Sequence, residues 1–229
     1  MLAMLSNLLA RAPQMEDLEA VTELLVACDI ADYGMPDRTK EDIRTDWRRL
    51  DFNLDTDAWV IVTNDGRFVG YAHVWPCNSM HTSVFASVHP AYRNRGIGML
   101  LLRLAEERAR EQINAAPPAV CITLTSVVSH SNEAARRLLE REGYTLQQHF
   151  WRLIVEMEDE PSESYGAFSQ RGKFKLDLAV DTENLVGMTQ IQKRTGIYVV
   201  RQYNVYKKEL RSGAELTMGG HLTKQGIAA

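Results

Sequence analysis

The sequence predicts an α/β fold, with helices packed on a mixed (α+β) sheet, and three observations carry that expectation. Strand-like and helix-like hydrophobic patterns alternate from Leu8 to Met157. A β-rich run from Thr82 to Val88 enters a tight basic glycine loop, which opens a leucine-rich helix. Asn132 suits the cap of a further helix, and Gly143 suits its left-handed end.

The elements follow in order. Leu8–Pro13 reads as an edge strand. Between Glu16 and Cys28, Leu18, Val21, Leu24, Leu25 and Ala27 recur near helical spacing, so a first helix is expected, followed by a loop from Asp29 to Arg38. Thr39 with Asp42 resembles a capping box and starts a second helix through Trp47 and Leu50. Trp59–Thr63 and Phe68–Trp75, joined by Asn64-Asp65-Gly66, form a hairpin pattern. The glycine-loop helix, lined by Leu100, Leu101, Leu104 and Ala105, runs to about Asn114, where Ala115-Ala116-Pro117-Pro118 breaks it. Val120–Val127 is the next strand. The helix after Asn132 turns Ala135, Leu138 and Leu139 inward, and Tyr144–Met157 returns as a strand or a bent pair of strands.

Composition narrows the function. Of 229 residues, 45% are hydrophobic and 24% charged, which fits a soluble globular protein with room for one large domain, or an ordinary domain and a fragment. A net charge of −4 gives no basic footprint for nucleic acid. Cys28, Cys77 and Cys121 are unpatterned, as expected of small buried residues in a reducing cytoplasm. Neither they nor the six histidines have metal-ligand spacing. Met1–Ala10 is apolar but too short to cross a bilayer and lacks a basic start, so no membrane association is expected.

The loop Arg93-Asn94-Arg95-Gly96-Ile97-Gly98-Met99 carries the chemistry. A helix start has unpaired N–H groups and the positive end of the helix dipole, which together suit a pyrophosphate. Gly96 and Gly98 let the backbone approach the anion, and Arg93 and Arg95 add charge. By itself the segment also reads as a β-to-α turn with solvated arginines. Strand, Pro90, Arg-x-x-Gly-x-Gly and leucine-rich helix, in that order, resemble the GNAT superfamily of acyl-CoA-dependent N-acetyltransferases. The likeness spans about Leu8 to Met157 and includes a second family motif, from Ser131-Asn132-Glu133-Ala134-Ala135 to Gly143-Tyr144.

That resemblance implies a GNAT acyl-CoA N-acyltransferase fold with acetyl-CoA as cosubstrate. The pantetheine would hydrogen-bond to the exposed strand edge Ala86, Ser87 and Val88, and the pyrophosphate would take N–H groups of Asn94 to Met99. Asn132 matches an asparagine that touches the cofactor in relatives, and it also suits a helix cap. The implied reaction is direct attack of an amine on the thioester, with a backbone N–H near Val88 holding the oxyanion. The family's tyrosine acid is absent: Leu139 stands in its place, with Gln192 at the corresponding point of a second copy described next. The strand carboxylate is missing from Val120–Val128. A water relay, His89, His81 or Asp32 remains for proton transfer, and no catalytic residue is assigned.

Beyond Met157 the pattern recurs. Gly143 and Gly196, Arg141 and Arg194, and Glu156 and Glu209 each stand 53 positions apart. Phe174, Leu176, Leu178 and Val180 alternate as a strand, and Tyr198–Lys207 resembles a terminal β pair. The stretch resembles the end of the second domain in tandem GNAT proteins, the mycothiol synthase-like group, with its first part and its glycine loop missing. The expected organisation is a complete domain over 1–158, a partial second repeat over 159–212 and a loose tail over 213–229. An unrelated appendage is the alternative. Such a fragment would leave apolar edges, so it is expected to pack on the first domain or on a second copy of the chain as a homodimer.

The function expected is an acetyl-CoA-dependent N-acetyltransferase acting on a small-molecule amine. Trp47, Trp59, Trp75 and the Tyr33 loop are candidates for an acceptor pocket, though tryptophans at such spacings also suit a core. The alternatives are a catalytically idle acyl-CoA-binding regulatory or assembly module, and a nonfunctional remnant of a longer gene.

Overall fold

The computed structural model describes residues 7–76, 81–113, 121–157, 168–170, 173–181 and 197–212. Its strands are β1 (Leu8–Arg11), β2 (Ala58–Thr63), β3 (Phe68–Pro76), β4 (His81–Val88), β5 (Ile122–Ser129), β6 (Thr145–Met157), β7 (Phe168–Gln170), β8 (Lys173–Asp181) and β9 (Ile197–Arg211). The helices are α1 (Leu18–Tyr33), α2 (Lys40–Trp47), the single turn α3 (Leu54–Asp57), α4 (Ile97–Ile113) and α5 (Glu133–Arg141). All nine strands share one sheet, in the order β1-β2-β3-β4-β5-β9-β6-β8-β7. Only β4 and β5 pair in parallel; the other neighbours are antiparallel.

Helices cover both faces because successive strand residues point to opposite sides. On one face Leu18, Val21, Leu24, Leu25 and Cys28 of α1, with Ile43 and Trp47 of α2, pack on Ala58, Val60, Val62 and Tyr71. On the other, Ile97 and Leu101 of α4 pack on Ile61, Val69 and Ala72. Further along that face, Leu102, Ala105 and Ala109 of α4 and Leu139 of α5 meet Val74, Val84, Leu124 and Tyr206. Leu24 and Leu25 are each 2% exposed; burying one such side chain contributes about 1.5–3 kcal/mol. Leu100 and Leu104, expected on the inner face of α4, are only half-buried, and Leu102 and Ala109 take that role.

The capping box of α2 forms as expected: Thr39 Oγ1 accepts from Asp42 N at 3.2 Å, and Asp42 returns a bond to Thr39 N at 2.8 Å. The first helix departs from expectation. It runs through the predicted loop to Tyr33 and stops at Gly34, whose φ of +79° closes it. Its last turn therefore delivers Asp29, Asp32 and Tyr33 to the sheet. The stretch after Gly143, read as a strand or a bent pair, is one long strand with two register shifts. The stretch from Tyr198, read as a pair, is likewise the single strand β9.

The boundary expected at residue 158 does not divide the sheet. β9 lies between β5 and β6 and pairs with both, so the first 157 residues do not complete it. Without β9, β5 would present a bare edge, and the pocket holding Asn204 and Tyr206, both 0% exposed, would be empty. The second-copy positions Gln192, Arg194 and Gly196, the break at Ala115–Pro118, Cys77 and the tail from 213 lie outside the described residues.

Candidate active site

β4 and β5 pair over only four steps, from His81–Thr123 to Val84–Ser126. Both strands continue past that point, β4 to Val88 and β5 to Ser129, without pairing with each other, so the sheet opens into a cleft. Each remains held on its other side, β4 by β3 and β5 by β9.

The register of β3 on β4 decides which main-chain groups face the cleft. His89 N donates to Val69 O at 3.0 Å, so Gly70 and Val88, which stand opposite each other, exchange no hydrogen bonds. Ala86, two residues back, has the same orientation. The N–H and C=O groups of Ala86 and Val88 therefore point away from β3 and into the cleft. Ser87 alternates: its main chain bonds to β3, and its side chain lies on the α1 face. Of the expected edge, Ala86 and Val88 supply the backbone and Ser87 does not. Part of that edge is already used, since Val88 O accepts from Cys28 Sγ and from Arg93 Nε, each at 3.3 Å. Burial pushes the Cys28 thiol up to about 12, so it stays protonated there.

The glycine loop follows at once. Asn94 and Gly96 both have positive φ, +61° and +87°, and nothing lies within 4 Å of a Cβ built on Gly96. Alternating left-handed residues turn successive N–H groups to one side, a concavity suited to an anion. The first intrahelical bond runs from Leu100 N to Gly96 O, which leaves Ile97, Gly98 and Met99 with the orphan donors of the first turn. Gly98 is a close-approach glycine, because a Cβ there would stand 3.0 Å from Leu138 of α5 and 3.7 Å from Val88. Gly70 does the same beneath the loop, with Ile97 at 2.9 Å.

The two arginines part ways. Arg95 is exposed and lies 4.9 Å over the Tyr92 ring. Arg93 is ion-paired: Nη1 and Nη2 donate to Asp32 at 2.7 and 2.9 Å. Asp32 also receives Asn132 Nδ2 at 3.0 Å, and its carbonyl accepts from Ser131 Oγ at 2.7 Å. Asn132 Oδ1 caps α5 by accepting from Ala135 N, so both ends of its amide are engaged within the protein. Asp32 thus ties the end of α1 to both motif loops, a role that no spacing in the sequence announces. His89 is also committed: Nδ1 accepts from Ala91 N at 3.2 Å, and burial, followed by Arg67 and Arg93, holds its pKa below the usual histidine range.

On the α1 face of the cleft stands Tyr33, from the loop that the sequence offers as an acceptor-pocket lining. Burial drives the pKa of the Tyr33 phenol well up, and the neighbouring Tyr203 adds to the rise. The Tyr33 and Tyr203 rings lie 5.6 Å apart, and the Arg201 guanidinium sits 4.3 Å over Tyr33. Asp29 accepts from Asp37 N and Arg38 N at 2.9 and 3.3 Å, and burial raises its pKa. Tyr33 is placed by the sequence in a loop suited to an acceptor pocket and is given no part in proton transfer. Its place on a helix end beside a strand terminus depends on pairings far away in the chain. The tryptophans are core groups instead: Trp47 is buried, with Nε1 donating to Tyr71 at 2.9 Å, and Trp75 stacks on Phe52.

An open strand edge beside an anion-binding helix start, with acidic and phenolic groups on the far face, defines an acyl-CoA-handling transferase. The acetyltransferase (GNAT) family model matches residues 18–144, more than half of the chain, and the chain belongs to that family. It is an N-acetyltransferase of the GNAT type, with acetyl-CoA as cosubstrate. A GCN5-related N-acetyltransferase from Sphaerobacter thermophilus has a similar structure: TM-score 0.77 at 20% identity, covering 92% of this chain and 98% of that one. A putative acetyltransferase from Pyrococcus horikoshii aligns with TM-score 0.59 at 14% identity, covering 89% and 90%. The ribosomal-protein-S18-alanine N-acetyltransferase from Escherichia coli gives 0.51 at 14% identity, covering 91% and 97%. At these identities the neighbours bear on the fold alone. No curated protein matches the chain in sequence. Among the described residues no group of side chains suits a metal ion, and no helix is long and apolar enough to cross a membrane.

Proposed function

We propose that the enzyme transfers the acetyl group of acetyl-CoA to the amine of a small molecule, by direct attack within a ternary complex. The observation that carries this reading is the opening of β4 from β5 past Val84 and Ser126, with the glycine loop at its end. The N–H groups of Asn94 to Met99, with the charge of Arg95, suit the pyrophosphate, and Arg93 and Asn132 position the loops through Asp32. Ala86 and Val88 offer strand-edge partners to the pantetheine amides, and the inward N–H of Val88 suits the thioester oxyanion.

Tyr33 supplies the proton donor that Leu139 cannot. The amine nitrogen attacks the thioester carbon, the C–S bond breaks, and the leaving thiolate takes the phenol proton. The surplus proton on nitrogen then returns to the phenolate. Titration with acetyl-CoA, followed by a panel of amines under thiol detection, tests the reading. Binding with thiol release is expected, and Tyr33→Phe should lower kcat about 10²-fold at unchanged acetyl-CoA affinity. Binding without turnover for any amine would favour the idle acyl-CoA-binding module.

We also infer that residues 121–157 and 173–211 are two copies of one unit fused into one sheet. The pairings support it. Phe150 faces Tyr203, 53 positions on, with rings stacked at 4.9 Å. The register shifts leave Gln147 on β6 and Val200 on β9 as the extra residues, again 53 apart. The antiparallel pair of β5 with β9 has its counterpart in β8 with β6. The second copy packs on the first within the chain, so light scattering should return a monomer.

A further inference from the structure

Arg152 and Arg201 stand directly opposite each other on β6 and β9. Like charges at such a pair are destabilising unless an anion lies between them. Asp37, in the loop between α1 and α2, is that anion: it accepts from Arg152 Nη1 at 2.8 Å, and Arg201 Nη1 approaches it to 2.6 Å. The Arg201 side chain is 3% exposed, and its buried Nε has no hydrogen-bond partner among the described residues. The same guanidinium lies on the Tyr33 ring, which packs on Tyr203, the residue paired with Ser129 at the end of the cleft strand. One tyrosine ring therefore separates the reacting end of the cleft from a pair of arginines. Among the described residues Asp29 also acts on Arg201, and it is engaged by the N–H groups of Asp37 and Arg38.

Resting on the transferase reading above, we propose that the acceptor is an amine bearing a carboxylate. Its carboxylate takes the place of Asp37 on Arg201 and Arg152, and its amine is thereby aimed past Tyr33 at the cleft. Asp37 is then an internal stand-in for the substrate, and the Gly34–Arg38 loop is released when the acceptor binds. A carboxylate also gives the unused Arg201 Nε an acceptor, which Asp37 does not.

The test is calorimetric titration of the full chain with free amino acids and with their methyl esters, with CoA present, alongside thiol release with acetyl-CoA. For at least one side chain the acid should bind about tenfold or more tightly than its ester, the scale of a lost charge-assisted hydrogen bond. Arg152→Gln should weaken the acid and leave the ester unchanged. Asp37→Asn should tighten the acid, because the internal competitor is weakened. A purely structural clamp would make both variants weaken acid and ester alike. Equal binding of acid and ester throughout, or shifts of the same sign in the two variants, overturns the proposal. Preferential acid binding without thiol release would leave it standing and count against the transferase reading instead.

Discussion

The two stretches 121–157 and 173–211 have like strand pairings, yet among the described residues only the first borders the glycine-loop cleft. β5 has β4 as its parallel neighbour, and the two strands separate after four steps. β8 has β7 instead, an antiparallel strand paired over three residues, and the sequence after 158 contains no Arg-x-x-Gly-x-Gly. The cleft is thus a property of the β4–β5 boundary and the loop leaving β4, not of the repeated unit. The second unit contributes from the other side, through β9, which closes β5 and brings Arg201 and Tyr203 to the acceptor face.

The largest effect expected from this comparison is that of removing the second unit. A chain ending at Met157 should fail to fold cooperatively, as followed by circular dichroism on heating, because β5 loses its neighbour and Tyr206 and Asn204 leave the core. A folded fragment with a sharp melting transition would restore a domain boundary at 158. Next come changes on the β4 side. Gly70→Ala puts a Cβ 2.9 Å from Ile97 Cγ2 and 3.1 Å from Ile61 and Leu101, and should cost about 1–3 kcal/mol in denaturant melts. It should also weaken acetyl-CoA binding, because Ile97 begins the helix that carries the loop. Gly96→Ala meets no atom within 4 Å and is strained only by its φ of +87°. About 1 kcal/mol of stability should be lost, with a larger proportional loss in acetyl-CoA affinity by calorimetry. Equal effects on stability and affinity would mean that the loop does not hold the cofactor.

The fold and the glycine loop were legible in the sequence because both depend on local patterns. The strand before Arg93, the left-handed Gly96 and the caps at Thr39 and Asn132 are all set within a few residues. The proposed acceptor side was legible only as the Tyr33 loop, since it is assembled from distant segments. Tyr33 meets Tyr203, and Asp37 meets Arg152 and Arg201, across separations that no periodicity encodes. Helix α1 runs five residues past its expected end, because the turn signal Tyr33-Gly34-Met35-Pro36 extends the predicted loop back over Asp29 and Asp32. They are held by contacts to loops and strands met later in the chain. The offset of 53 was visible in Gly143 and Gly196, but that the second copy enters the first copy's sheet was not. Edge pairing leaves little trace in the pattern of a single strand.

The smallest effect lies away from both units and serves as a control on them. Trp47 Nε1 donates to the Tyr71 hydroxyl, which stands 3.2 Å from His73 Nδ1. The hydroxyl, already accepting from Trp47, has its own proton to give to His73 Nδ1 in the tautomer that leaves Nδ1 bare. Burial, with Arg38 adding to it, lowers the His73 pKa from 6.5 to about 3. In the unfolded chain this histidine takes up a proton as pH falls below about 6.5, while the native one does not. His73 therefore leaves stability untouched above that pH and subtracts from it progressively between about 6.5 and 3. His73→Phe should lower stability slightly at pH 7.5, by leaving the Tyr71 hydroxyl without its acceptor. It should also flatten the decline measured by urea melts at pH 6.5, 5.5 and 4.5, with acetyl-CoA affinity unchanged. An acid slope identical to that of the wild type would place the proton uptake elsewhere. A fall in cofactor affinity would mean that the aromatic layer under α2 is coupled to the cleft, and that the β4–β5 boundary does not act alone.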